Sequence, residues 1–367
     1  MAAKLKVGFV GVGGIFPAYI RGCRQFDSLD VVACSDLDVE RASNRAAEFG
    51  IPWAGTVEDM IALPGIDIVV NLTVPRAHTG VSLAAIDAGK HVHSEKPLAV
   101  TREDGQRIVE AASAKGVLVS CAPDTFLGGG QQTCRKLIDD GWIGRPVAAV
   151  AFMTSRGPES WHSNPDFFYQ TGAGPLFDMG PYYLTALVNL LGPVARVSAA
   201  TGISFAERVA TSETQFGRRI PVEVPTHVSA NLDYVAGPIA TMIQSWDVWA
   251  ANLPLIEVYG SEGSLSVPDP NQFGGQVLVR RAGADDWSEI PLTHSAEVGR
   301  GIGVAELANA IAYDRPLRTD ASLAYHVLDT MIAITESSDD SRHVQIESSC
   351  ERPAPLPLGL QKGRLDQ

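Results

Sequence analysis

From residue 5 to residue 122 the sequence repeats one unit: a short apolar run, a turn, then a segment of helical periodicity. The runs are LKVGFVG, LDVVACSD, IDIVVNLTV, KHVHSEK and GVLVSCA, and stretches such as DVERASNRAAEFG, HTGVSLAAIDAGK and REDGQRIVEAASAKG separate them. Strands this continuously apolar need cover on both faces, so the pattern predicts an α/β fold with a doubly wound parallel sheet between helices. After CAPDTFLGGG the rhythm changes. A helix, QQTCRKLIDDG, leads into RPVAAVAFMTS, and RVSAATGISF, HVSANLDYVAG, IATMIQSWDVW, LIEVYG and GQVLVRR follow with turns and little helix between them. That spacing predicts an α+β domain on a large, mostly antiparallel open sheet. Helical patterns over 298–313 and 320–337 close it, and the tail ERPAPLPLGLQKGRLDQ, rich in proline and polar residues, reads as an extended arm outside the core. At roughly 100 to 200 residues per domain a chain of 367 suggests about two domains, and the expected division is 1–122, 123–350 and an arm over 351–367.

Composition narrows the class of partner. Hydrophobic residues make up 45% of the 367 and charged residues 19%, as in a folded globular enzyme. A net charge of −13 without any cluster of Lys and Arg argues against a nucleic-acid partner, whose phosphates are held by such clusters. There is no run of about 18 uncharged apolar residues to span a membrane. The opening MAAKLKVGFVGVG runs directly into a strand and a glycine loop without the apolar core of a signal peptide, so the expected location is the cytoplasm. Cys23, Cys34, Cys121, Cys134 and Cys350 are scattered and form no CxxC pair, which suits reduced, buried thiols rather than disulfides or zinc.

The stretch VGFVGVGGIF places Gly11 and Gly13, followed by Gly14 and Ile15, between the first strand and a helix. Glycine suits a tight turn whose backbone approaches a pyrophosphate, with the helix amino terminus meeting the charge. The third position of the GxGxxG pattern is Phe16, so the fingerprint is incomplete. Asp36, followed by Leu37, ends the second strand where an acid would accept the ribose hydroxyls of NAD and repel the extra phosphate of NADP. NAD(H) is therefore the expected cofactor, with Arg41 or Arg45 as the route by which NADP would be tolerated. Asp36 also reads as an N-cap for the helix beginning near Val39.

In HVHSEKPLAV, residues 91–100, two histidines, a glutamate and a lysine crowd the end of a buried strand. Together with VGVGGI and NLTVPRAHTGVSLAAIDAGK, this segment resembles the glucose–fructose oxidoreductase/inositol dehydrogenase/MocA (Gfo/Idh/MocA) family, whose most characteristic tag is the EKP triplet, here Glu95, Lys96 and Pro97. The resemblance spans the first domain almost continuously and implies that Lys96 lies beside the nicotinamide and the substrate hydroxyl. That agrees with the rule that open α/β sheets bind ligands beyond the carboxyl ends of their strands, where an ammonium can favour alkoxide character in a substrate oxygen. Thr73, Pro75 and His78 are expected at the cofactor, His78 as a helix-start or cofactor-loop residue and not a catalyst, and the resemblance puts Glu95 near the cofactor ribose, although an ion pair is the other reading. His91 and His93 share one strand face, but no further ligand groups with them and the resemblance implies no metal.

In the second domain, GAGPLFDMGPYYLTALVNLLGPV is similar to a family segment with a DxGxHxxD pattern, whose histidine is taken as the proton-transfer residue. The matching positions are Asp178, Gly180, Tyr182 and Thr185, so the histidine has become tyrosine and the last acid threonine. A phenol titrates near about 10 and needs its anion stabilised to act as a base at neutral pH. Lys96 could do this, as could a helix started by Pro181 with Tyr182 in its first turn. Asp178 would orient Lys96, bind a substrate hydroxyl or cap that helix. Asp124 of APDTF is expected over the nicotinamide edge. Trp161 and His162 of ESWHSNPDFFY suit a sugar pocket, His162 being the reserve proton-transfer residue. The resemblance implies an oxidoreductase moving a hydride between NAD(H) and a secondary carbinol of a sugar, inositol or polyol, and a homo-oligomer, a dimer or tetramer, formed through the second sheet. The alternatives are an NAD-retaining glycosidase-like enzyme and a non-catalytic dinucleotide-binding regulator.

Overall fold

The computed structural model describes residues 4–366, so the first three residues and Gln367, the last residue of the expected arm, lie outside the described residues. Among the described residues, β1 Leu5–Val10, β2 Leu29–Ser35, β3 Trp53–Gly55, β4 Ile68–Asn71, β5 His91–Ser94 and β6 Val119–Cys121 form one sheet in the order β3-β2-β1-β4-β5-β6. Every pairing in it is parallel. The helices are α1 Phe16–Cys23, α2 Val39–Phe49, α3 Val57–Ala62, α4 Pro75–Asp87 and α5 Arg102–Lys115. Local sequence sets their ends: the side chains of Asp38, Thr56 and Thr101 accept amide hydrogens as N-caps, and Gly50 and Gly116 end α2 and α5 in the left-handed conformation. Strand order reverses between β1 and β4, which opens a crevice beyond their carboxyl ends.

The remaining chain forms α6 Gly129–Asp139, β7 Pro146–Thr154, α7 Gly174–Leu191, β8 Val194–Gly202, β9 Glu207–Val209, β10 Arg219–Pro221, β11 His227–Tyr234 and β12 Ile239–Ser245. Then come β13 Ile256–Gly260, β14 Gly263–Val267, β15 Val277–Arg281, β16 Ser288–Ile290, α8 Ile302–Tyr313, α9 Ala321–Asp340 and β17 Val344–Gln345. Nine described strands make a sheet ordered β16-β15-β14-β13-β7-β12-β11-β8-β17. Only β7 and β12 pair in parallel; the other pairings are antiparallel, as the sequence predicts. β9 and β10 form a separate ribbon. α7 packs on β7, β11 and β12 and α9 on β8, while α8 crosses to α1, β5 and β6 of the first domain. The apolar stripe that marks α8 as a helix cannot say which of two cores receives it.

Among its described residues the tail has no helix or strand, in keeping with an extended arm, but it does not stay outside the core: Leu356 is buried. The Leu356 amide donates to Gln132 Oε1 at 2.7 Å, and Pro353 O accepts from Arg135 at 2.7 Å. Near its end Asp366 pairs with Arg318 at 2.6 Å, and Arg318 also meets fully buried Glu306 on α8 at 3.1 Å. Arg315 holds Glu306 in a two-pronged pair at 2.7 and 2.8 Å. Removing the carboxylate would leave two guanidiniums sharing one remaining acid, so Glu306→Ala should lower unfolding free energy by about 3–5 kcal/mol. Urea unfolding checks this, and a loss below about 1 kcal/mol would place the group among weak surface pairs.

All five cysteines are buried, and no disulfide joins them. Among the described residues no helix is long and apolar enough to cross a membrane, and no group of three or more His, Cys, Asp and Glu could hold a metal.

Candidate active site

The crevice floor begins at the glycine loop. Gly11 has φ +91° and lies so near the next loop that a Cβ would sit 2.9 Å from the Leu72 carbonyl oxygen, so only glycine fits. A Cβ on Gly13 or Gly14 would meet nothing within 4 Å, which leaves that side of the loop open. Ile15 is the N-cap of α1 and supplies no side-chain cap, so the first-turn amides are not closed off by a side chain. Open glycines, uncapped helix amides and an acid on the neighbouring strand fit a dinucleotide.

Asp36 is buried at the end of β2. Its Oδ2 accepts from the Val12 amide of the glycine loop at 2.9 Å, and its Oδ1 accepts from the Asp38 amide at 3.1 Å and from Arg41 Nη2 at 2.5 Å. It is not the N-cap of α2: Asp38 is, accepting from the Arg41 amide at 3.0 Å. Burial pushes the Asp36 carboxyl up, but Arg41 and the two amides outweigh it and hold it below its ordinary value. Leu37 beside it is 95% exposed. Thr73 Oγ1 donates to Asn71 Oδ1 at 2.6 Å, and Pro75 begins α4. His78 is buried in α4, with ring nitrogens 2.7 Å from Pro97 O and 3.0 Å from Thr73 O. It ties the loop after β4 to the turn that carries Lys96.

Lys96 lies two residues beyond β5. Its Nζ donates to the Asp178 carbonyl oxygen at 2.6 Å and to Asp178 Oδ1 at 2.7 Å, and it stands 5.2 Å from the Tyr182 ring centroid. Burial works against the ammonium, yet Asp178, Tyr182 and Glu95 together raise its pKa above the ordinary lysine value. Glu95 is buried beneath, its Oε1 accepting from Tyr19 at 2.8 Å and its Oε2 from the Lys96 amide at 3.0 Å. Lysine, aspartate and tyrosine thus come together as expected, but two details differ. The helix does not start at Pro181: α7 begins at Gly174, with Pro175 in its first turn, so Tyr182 lies in the helix interior away from the amino-terminal partial charge. For the same reason Asp178 is no helix cap. Lys96 also meets the ring and not the phenolic oxygen.

The group that does meet that oxygen is Arg300, in the loop before α8, whose Nη2 donates to the Tyr182 hydroxyl at 2.9 Å. Sequence reasoning missed it. The available signal was a lone arginine between glycines, VGRGIG, ahead of an apolar helix. Asp124, expected at the nicotinamide edge, is instead fully buried, because its Oδ2 accepts from the amides of Gly301 and Gly303 at 3.1 and 3.0 Å and so closes the start of α8. Trp161 is 68% exposed. His162 packs edge-on against Trp161 and Phe168, with centroids 5.3 and 4.9 Å away, and its Nδ1 accepts from the Asn164 amide at 3.0 Å. Neither hydrogen-bonds Lys96, Asp178 or Tyr182. His93 and His91 are engaged by Ser120 Oγ at 2.8 Å and the Leu118 amide at 2.9 Å.

Comparison with known proteins shows the family and the fold. Residues 5–122 match the family described as oxidoreductase family, NAD-binding Rossmann fold, and residues 131–266 match the GFO/IDH/MocA C-terminal domain. An inositol 2-dehydrogenase 3 of Saccharopolyspora erythraea is 31% identical over 300 residues, covering 78% of this chain and 80% of that protein. A 1,5-anhydro-D-fructose reductase of Ensifer adhaerens is 30% identical over 291 residues, covering 78% and 82%. A levoglucosan dehydrogenase solved with NADH and levoglucosan superposes with a TM-score of 0.80 at 21% identity, covering 94% of this chain and all of the other, a likeness of fold.

Proposed function

The chain belongs to the GFO/IDH/MocA family of oxidoreductases, and on that premise we propose that Lys96, Tyr182 and Asp178 manage the proton that accompanies hydride transfer. The enzyme is an NAD(H)-dependent oxidoreductase acting on a secondary hydroxyl or ketone of a sugar, inositol or related polyol. The observation that carries the assignment of roles is the ammonium of Lys96, held by Asp178 and touching the Tyr182 ring at the end of β5.

The loop of Gly11, Gly13, Gly14 and Ile15 would hold the pyrophosphate, Asp36 with Leu37 the adenosine ribose, and Thr73, Pro75 and Glu95 the nicotinamide half. When bound, NAD supplies or accepts the hydride. Burial pushes the Tyr182 phenol above its ordinary pKa, although Lys96 and Arg300 oppose this, so it starts neutral at pH 7 and is ready to donate. In reduction it gives its proton to the carbonyl oxygen; in oxidation its deprotonated form, the phenolate, takes the carbinol proton. Lys96 stabilises the oxygen as it gains alkoxide character, and Asp178 keeps Lys96 charged and aimed. Trp161 and His162 belong to the loop we assign to the sugar. Asp124 acts at one remove, by fixing the start of α8.

We assign cofactor binding to 1–122 and substrate binding and assembly to 123–350, with 351–367 as an arm. Assembly is a homo-oligomer through the second sheet, whose strands β7 and β12 alternate buried with half-buried residues and show Val147 and Ile239 at 39% and 53% exposure. The reduced, buried thiols support a cytoplasmic location.

Following NADH absorbance across inositols, free sugars, glycosides and their keto forms tests this reading. Net turnover with NAD on a polyol supports it; hydrolysed glycoside without net NADH, or tight NADH binding without any chemistry, would contradict it. Asp36→Ala removes an acceptor of the expected ribose bonds and frees Arg41. A charged hydrogen bond of about 1.5–3 kcal/mol implies that KM for NAD rises roughly 10-fold to 100-fold. The preference over NADP should narrow in parallel. Unchanged KM and unchanged preference would remove Asp36 from the cofactor site.

A further inference from the structure

The histidine of the related pattern is missing, and a guanidinium meets the phenol that stands in its place. Arg300 is nearly buried, and its position is fixed from several sides. Nη2 donates to the Tyr182 oxygen at 2.9 Å and to Asn271 Oδ1 at 2.8 Å, while Nη1 lies 3.6 Å from Oδ1 of fully buried Asp124. The guanidinium carbon stands 5.2 Å from the Tyr182 centroid and 5.9 Å from that of Phe273. The backbone is pinned as well: a Cβ on Gly22 of α1 would come 1.7 Å from the Arg300 carbonyl oxygen, and Gly301 needs φ +106° beside Cys23.

Charges face Tyr182 from every element around it. Lys96 beyond β5 and Arg300 before α8 are cationic; Glu95 beyond β5 and Asp178 on α7 are anionic. Asp124, Glu95 and Tyr19 in turn face Arg300. The two cations are not equivalent, since Lys96 spends its hydrogen bonds on Asp178 and reaches only the ring. Among the described residues no acceptor takes the hydrogen of the Tyr182 hydroxyl, whose only bond is the one it accepts from Arg300.

We propose that Arg300 is the positioning residue for proton transfer: it directs the free O–H of Tyr182 at the substrate oxygen and stabilises the phenolate that forms when that proton leaves. In reduction the phenol O–H bond breaks and its proton joins the carbonyl oxygen as the carbonyl carbon receives hydride from NADH. In oxidation the phenolate takes the carbinol's hydroxyl proton while the carbinol C–H electron pair leaves as hydride to NAD. A donor fixed in advance on the oxygen that becomes charged is worth most in a dry site. The inference rests on the proton-carrier role assigned to Tyr182 above.

The test compares oxidative kcat/KM against pH for wild type, Arg300→Lys and Arg300→Met, with tyrosinate absorbance titrated in each protein and in its Tyr182→Phe counterpart. Arg300→Met should move the ascending limb, along which Tyr182 loses its proton, up by about one to two pH units, so that activity at neutral pH falls roughly 10-fold to 100-fold and recovers toward wild type at high pH. The loss should fall on kcat more than on KM, and Arg300→Lys should restore a large part of the limb. A drop equal at every pH with the limb unmoved, or no change, would overturn the proposal. If Arg300→Met does not fold, Arg300→Lys decides: an unshifted Tyr182 titration and a reduced rate at all pH values count against it. Full activity in Tyr182→Phe would instead overturn the underlying proton-carrier reading, while the absorbance titration still reports whether Arg300 governs the phenol.

Discussion

Tyr182→Phe is expected to cut turnover on the best polyol substrate by about 10²-fold to 10⁴-fold, the range that a placed proton-transfer group contributes. The substitution deletes one oxygen from a buried ring and leaves the packing of α7 intact. It also leaves the cofactor loop untouched, so KM for NAD should stay near wild type. In the folded enzyme the deletion strands Arg300 Nη2 with Asn271 as its remaining acceptor. A modest loss of stability is therefore compatible with the role, whereas unchanged kcat is not. Steady-state kinetics in both directions make the check.

Lys96→Met should lower kcat in both directions by about 10²-fold to 10³-fold, as loss of one aimed donor to a developing oxyanion does. Methionine keeps much of the aliphatic stem, so the effect isolates the charge. It would also leave the Asp178 carboxylate without its cation, and the double variant Lys96→Met with Asp178→Asn separates the two contributions. If lysine and aspartate act as a unit, the double variant should be no slower than Lys96→Met alone; losses that multiply would show independent roles.

Much of this site was legible in the sequence because it sits where the chain itself marks strand ends. GVGGIF, the acid closing LDVVACSD and the lysine after HVHSE each follow a continuously apolar run, so their common edge follows from the parallel sheet. β3 and α3 were not legible, since WAG and VEDMIA are too short to display a period. The start of α7 was misjudged because the segment carries two prolines: the interior Pro181 looks like a first-turn residue, while Pro175 is the one in that position. Arg300 lies 118 residues from Tyr182 in a polar glycine loop, so only folding brings them together. Asp124 failed in the opposite sense: its place after β6 is as expected, but α8 crosses over and claims its carboxylate with two backbone amides.

The differences at Pro181, Arg300 and Asp124 share one cause. Each involves α7, α8 or the loops leading to them, the parts of the second domain that pack across onto the first or face it. Local pattern identifies such helices without fixing their partners, and the half of the site to which we assign proton transfer is built from them.

The most direct test follows a label through the reaction. The polyol that turns over fastest is prepared with deuterium on its carbinol carbons, and the cofactor produced with NAD is analysed by mass. Deuterium carried from the carbinol carbon into reduced nicotinamide, with slowed turnover that Tyr182→Phe nearly abolishes, is the predicted result. Product formed with the label kept on the sugar or lost to water, and no labelled NADH, would contradict hydride transfer as the function of this site.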